Sequence, residues 1–161
     1  MPDQQAMQTT EIIAALTAAN DVARRSKAAG KHPFGAVLIG PEGETLLEQG
    51  NVSTVVHAES ELARRAAEKY SADFLWRCTL ATNFEPCAMC AGTIYWANIG
   101  RVIYAASEAS LLDLTGAHPE NPTLDLPCRS VFSAGQKAVV VIGPVPSMIE
   151  ATLDLHRDFW S

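Results

Sequence analysis

Apolar positions recur at helical spacing through residues 10–29 (Ile12, Ile13, Leu16, Val22), and Gly30 supplies a C-terminal stop. The run PFGAVLIG (33–40) predicts a buried strand, PEGE (41–44) a turn, and TLLEQG a returning strand, which together make a hairpin. After the polar loop NVSTVV, the stretch HAESELARRAAEKY predicts a helix with Leu62 and Ala66 on one side. CTLATNF (78–84) predicts a third strand. CAMCAGTIYWAN predicts a helix, with Pro86 placed where its missing N–H costs nothing. RVIYAA (101–106) follows as a fourth strand. A Pro-punctuated crossover then leads to a fifth, KAVVVIGP, and a closing helix over 146–160.

Strands alternating with helices predict an α/β fold, a three-layer α/β/α sandwich with a mixed five-stranded sheet. The first two strands pair antiparallel, and the later ones need crossovers and run parallel. A stretch of about 30 residues between strands four and five is long enough for such a crossover. No repeat or linker interrupts the chain, so residues 1–161 read as one domain.

Composition narrows the classes. Hydrophobic residues make up 48% of the chain and charged residues 19%, enough for a packed core. The longest apolar runs are too short to span a bilayer, so no membrane partner is expected. The polar start MPDQQAMQTTE shows no basic segment leading into an apolar one, which points to a reducing cytoplasm. There a cysteine pair belongs to a metal or a catalytic element more readily than to a disulfide. The formal charge of -6 argues against a surface for polyanions, so nucleic acid is not an expected partner. Arg24, Arg25 and Lys27 are assigned to the solvated side of the first helix.

Against that background NFEPCAMCAG stands out. Cys87 and Cys90 lie three apart on a predicted helix and can present both sulfurs to one point, while the helix start favours thiolate. The other candidate helix start, HAE, offers His57. A His/Cys/Cys set leaves one tetrahedral position open, the arrangement of a catalytic rather than a structural zinc, with one Zn²⁺ per chain. Glu59, two residues from His57, suits a proton acceptor for water whose pKa a metal brings towards about 7. Residues two apart diverge on a regular helix, so His57 must sit at an irregular first turn. Alone, C-x-x-C also fits a redox pair or half of a structural zinc site, with Cys78 or Cys128 completing it. Cys78 and Cys128 read otherwise as core. His32, His118 and His156 lack partner spacing and read as surface or packing residues.

The order H-x-E…P-C-x-x-C resembles the signature of zinc-dependent nucleobase deaminases. With HPFGAVLI, GNVSTVVHAES and EPCAMCAGTIYWANIGRVIYAAS, the chain is similar to the cytidine deaminase-like superfamily over roughly residues 10–106, most closely to bacterial guanine deaminases. The resemblance implies zinc on His57, Cys87 and Cys90, and proton shuttling by Glu59. It also implies a purine hydrogen-bonded by Asn51 and lined or stacked by Phe34 and Trp96. Phe34 before a core strand and Trp96 at the end of an apolar helix equally suit packing, and Asn51 after Gly50 also suits a turn. The implied reaction is hydrolysis of a free purine base, guanine giving xanthine and ammonia, or else of a nucleoside such as guanosine or cytidine. Such enzymes place an acidic pair after the fourth strand, for which Asp113 is the nearest stand-in. They also pass a C-terminal aromatic into a partner's pocket, so Phe159 or Trp160 and a homodimer are implied; a helix end capping its own core is the alternative. EPCAMCAG and IGRV also resemble tRNA adenosine deaminases. Glu150, Asp154 and Asp158 against Arg157 make the end of the chain a poor RNA surface. A non-enzymatic zinc module would have no need of Glu59.

Overall fold

The computed structural model describes residues 6–116 and 118–160, so the first five residues of the polar N-terminal stretch lie outside it. Five strands form one mixed sheet: β1 (Gly35–Ile39), β2 (Thr45–Gly50), β3 (Thr79–Phe84), β4 (Arg101–Ala106) and β5 (Val140–Ile142). Their order is β2-β1-β3-β4-β5. β1 runs antiparallel to both β2 and β3, whereas β3, β4 and β5 are mutually parallel. The expected hairpin is the β1–β2 pair, turned at Gly43 with φ of 84°, a conformation that a side chain disfavours.

Both faces of the sheet are covered, which is why the central strands read as unbroken apolar runs. Ala36, Leu38, Leu80, Val102 and Tyr104 belong to the core formed with α2 (Ala58–Lys69) and α4 (Ala88–Ala97). Their strand neighbours Val37, Ile39, Ala81, Ile103 and Ala105 pack with α1 (Thr9–Ala28) and Met148. α1 lies very close to β1: a Cβ at Gly35 would come within 2.5 Å of the Ala19 carbonyl oxygen. The absent side chain lets helix and strand meet, and so fixes the entry to β1 at Phe34.

Several elements differ from expectation. Residues Ala72–Trp76 form a short helix, α3, capped by Ser71, whose Oγ accepts from the Phe74 N–H at 3.2 Å. The crossover contains α5 (Glu108–Thr115) and α6 (Cys128–Ser133), and β5 is only the middle of KAVVVIGP. The single closing helix is instead a 3-10 turn (Pro146–Met148), α7 (Ile149–Asp154) and irregular turns. The cause lies in side chains that must point inward. His156 is buried, and its Nε2–H donates to the Pro33 carbonyl at 2.8 Å. Its Nδ1 then accepts from the indole N–H of Trp160 at 3.0 Å, and Asp158 takes φ of 66° as the chain doubles back. Among the described residues no helix is long and apolar enough to cross a membrane.

Burial pulls the His156 imidazole down from 6.5 to about 4, so it is neutral at pH 7. Unfolding restores the ordinary value, so the unfolded chain takes the proton first. The stability tied to this group is present above pH 6.5 and is lost as pH falls towards 4. The loss should total about 3 kcal/mol. Urea unfolding at a series of pH values should show His156→Gln with a correspondingly shallower slope across that window. An unchanged slope would refute the assignment.

Candidate active site

One edge of the sheet collects the polar machinery. β3 and β4 end there, and because β1 is antiparallel to β3 its start, with Phe34, lies at the same edge. The end of β2 arrives beside it, Gly50 opposite Gly35. From this edge two helices depart. His57 is the N-cap of α2, with ψ of 156°, and Cys87 is the N-cap of α4, with ψ of 173°. The extended cap backbone answers the requirement on His57 and Glu59. His57 stands outside the helix while Glu59 is its second residue, so both face one point. Cys87 likewise lies just outside α4, with Cys90 in its first turn and Pro86 one residue ahead of the cap. Helix N-termini carry unpaired N–H groups and positive potential, a suitable setting for anionic sulfur.

The three donors converge. His57 Nδ1 lies 3.6 Å from Cys87 Sγ and 3.5 Å from Cys90 Sγ, and the sulfurs are 3.7 Å apart. On a tetrahedral zinc with bonds of about 2.3 Å to sulfur and about 2.1 Å to nitrogen, such donors stand about 3.5–3.8 Å from one another. The fit is close. His57 Nε2–H donates to the Thr54 carbonyl at 2.8 Å, which fixes the tautomer and leaves the Nδ1 lone pair facing the sulfurs. Titration is strained to match. A hydrogen bond with Cys90 draws the Cys87 thiol down to about 4, and a hydrogen bond with Cys87 lifts His57 to about 9. Cys90 is pushed up, first by its bond to Cys87 and then by burial. Protons shared among crowded donors are what a divalent cation replaces.

Glu59 is buried beside this cluster. Its Oε1 accepts from the Thr82 hydroxyl on β3 at 2.6 Å, and its Oε2 lies 3.8 Å from Cys90 Sγ. Burial raises its pKa, while the Thr82 hydrogen bond works against the rise. Thr82 therefore holds the carboxyl in place, and nothing in CTLATNF distinguished it from strand packing.

A cavity of about 270 Å³ opens at this edge, lined by His57, Cys87, Glu59, Asn51 and Phe34 among others. Asn51 donates from Nδ2 to the Ser53 carbonyl at 3.1 Å, which leaves Oδ1 without a partner among the described residues. Phe34 borders the cavity and packs edge-on to Phe84. Three expected residues lie elsewhere. Trp96 is 80% exposed on the outside of α4, edge-on to Tyr95, because its helical position turns it away from the sheet. Asp113 is exposed on α5, and the acidic groups that line the cavity besides Glu59 are Glu85, Glu108 and Glu120. Trp160 is buried against His156 and His32 of its own chain, behind the cavity wall. His32, read as surface or packing, is itself part of that wall, with Nε2 3.9 Å from Glu120 Oε2. Glu85 could have been noticed for its place before Pro86-Cys87, and Glu108 for following the end of a strand. A larger cavity of about 550 Å³ lies at the opposite edge, by Thr79 and Arg101 at the starts of β3 and β4, far from these donors.

Comparison with known proteins accords with this geometry. Residues 9–106 match the family model described as cytidine and deoxycytidylate deaminase zinc-binding region. The chain is 32% identical over 162 residues to a probable cytosine deaminase of Schizosaccharomyces pombe, covering 96% of this chain and 98% of that protein. It is 44% identical over 79 residues to the guanine deaminase of Bacillus subtilis, covering 46% of this chain and 50% of that one. A solved guanine deaminase from Nitrosomonas europaea shares the fold, with a TM-score of 0.71 at 22% identity, over 98% of this chain and 87% of that one.

Zinc is thus the ion that this donor set fits, one per chain. Elemental analysis of purified protein should find about one equivalent, and Cys90→Ser should retain under about a tenth of it. Full retention by that variant would remove Cys90 from the ligands.

Proposed function

Because the chain belongs to the family of cytidine and deoxycytidylate deaminases that share this zinc-binding region, we propose that it hydrolytically deaminates a free nucleobase, guanine to xanthine and ammonia in the first instance. The observation carrying this reading is the meeting of His57, Cys87 and Cys90 with buried Glu59 on one wall of a base-sized cavity. Zinc held there supplies Lewis acidity that makes water nucleophilic near neutral pH. The protein's own groups do the rest. Glu59, oriented by Thr82, takes a proton from the attacking water and passes protons to the ring nitrogen and then to the departing amine. Water's oxygen stays on the ring carbon as a carbonyl, and the nitrogen leaves as ammonia. The unengaged Oδ1 of Asn51 accepts from a ring N–H, and Phe34 offers an apolar edge to the base plane. A raised Glu59 pKa suits a group that must both accept and return a proton.

A second reading, cytosine to uracil, is favoured by one finding: the relative similar over nearly the whole chain is a probable cytosine deaminase. The bacterial guanine deaminase matches only half of its own length. Editing of tRNA is weakened by the net charge of -6 and by Arg157 being engaged with both Glu150 and Asp154.

Ammonia release should be measured across guanine, cytosine, guanosine, cytidine and a tRNA anticodon stem. A free base should lead; release from the RNA stem alone would overturn the proposal. Glu59→Ala should keep its zinc and its melting temperature yet lose about 10²–10⁴-fold in kcat. Normal turnover by that variant would end Glu59's assignment.

A further inference from the structure

Three buried carboxyls stand at the active edge, and they are not alike: Glu59, Glu85 and Glu108. Glu59 is held by the Thr82 hydroxyl. Glu85 is fully employed within the protein, its Oε1 accepting from the Glu108 backbone N–H at 3.2 Å and its Oε2 from the Cys128 N–H at 2.9 Å. Glu108 lines the cavity at 8% exposure, yet its carboxyl makes no hydrogen bond or ion pair among the described residues. Its backbone is nonetheless firmly set. It is the first residue of α5, directly after β4, tied to Glu85 and preceded by Ser107, whose Oγ caps the Ser110 N–H at 3.1 Å. The carboxyl is thus held on a firmly set backbone, takes no protein partner among the described residues and has its oxygens open to the cavity, where a bound molecule can pair with it.

We propose that Glu108 is a substrate-binding residue that pairs with a ring N–H and its adjacent acceptor, and so selects free bases over their N-glycosides. This rests on the nucleobase reading given above and specifies what that site recognises. Guanine offers N9–H beside N3, and cytosine offers N1–H beside O2. A sugar on N9 or N1 removes the donor from either edge. Burial first, and then the charges of Glu59, Cys87 and Glu85, push the Glu108 carboxyl up to about 9, which favours its protonated form. A protonated carboxyl has one donor and one acceptor side by side, the complement of that ring edge, and Gln offers the same pair. A site built around a substrate N–H rejects analogues lacking it, because its own polar group is then left unpaired.

Calorimetry on the zinc-loaded protein, with Glu59→Ala as the background to prevent turnover, tests the assignment. The probes are 8-azaguanine, cytosine, 9-methylguanine and 1-methylcytosine. Each methylated base should bind at least about tenfold more weakly than the base with a free N–H. Glu108→Leu should weaken binding of 8-azaguanine or cytosine by about 10- to 100-fold, bringing it to the level of the methylated probes. Glu108→Gln should restore affinity to within about threefold of the parent. Equal binding of methylated and unmethylated bases by the parent, which needs no Glu108 variant, overturns the proposal. Undiminished binding by a folded, zinc-replete Glu108→Leu protein does the same. Ammonia release by the wild type is read separately. Discriminating binding without release leaves Glu108's role standing and refutes deamination. Turnover without discrimination refutes Glu108 alone, and absence of binding by any base refutes both.

Discussion

Everything at the active edge depends on bringing one imidazole nitrogen and two sulfurs within 3.5–3.7 Å of one another. Unassisted, that is an unfavourable cluster, with burial acting against charge on each member. The fold sustains it by three means. Two helices begin at the same sheet edge and lend the potential of their N-termini. The Thr54 carbonyl fixes the imidazole tautomer. The extended caps at His57 and Cys87 let side chains just outside each helix meet those within its first turn. A divalent cation then converts a crowded donor set into a stable one.

The same edge explains how the carboxyls differ in role. All three are acidic and buried, so composition alone cannot rank them. Hydrogen bonding does. Glu85 is consumed by two backbone donors and serves architecture. Glu59 is anchored on one oxygen by the Thr82 hydroxyl, and its other oxygen lies 3.8 Å from Cys90 Sγ. Glu108 is anchored only through its backbone. Sequence order (helix, strand end, strand end) thus becomes a division of labour once the parallel pairing of β3 and β4 aligns their ends.

Much of this was legible in the chain, for physical reasons that can be named. The strands PFGAVLIG, CTLATNF and RVIYAA announced themselves because both faces of the sheet are buried, which leaves long apolar runs. Cys87 and Cys90 were legible from their three-residue spacing at a helix start, and His57 and Glu59 from the H-x-E…P-C-x-x-C order that resembles a known signature. What escaped detection depends on distant partners. Thr82 acts through a residue 23 positions earlier, and Glu108 acquires its environment only when α5 folds back over the edge. The closing helix was overextended because its periodicity continues past Asp154, while His156 and Trp160 are satisfied only by turning into the body of the protein. Trp96 was expected at the base only through the family resemblance; the helix places it on the outer side.

Glu85 has one more consequence. Its two oxygens grip the chain at Glu108 and again at Cys128, pinning both ends of the intervening excursion to the strand that leads into the metal ligands. The residues between those pins include the wall segment from Glu120 to Leu124. Lineages can therefore lengthen, shorten or rewrite that excursion at little entropic cost, since closure entropy grows slowly with loop length. The chemistry stays put while the mouth of the cavity is free to diverge, a modular separation of reactivity from taste for particular molecules.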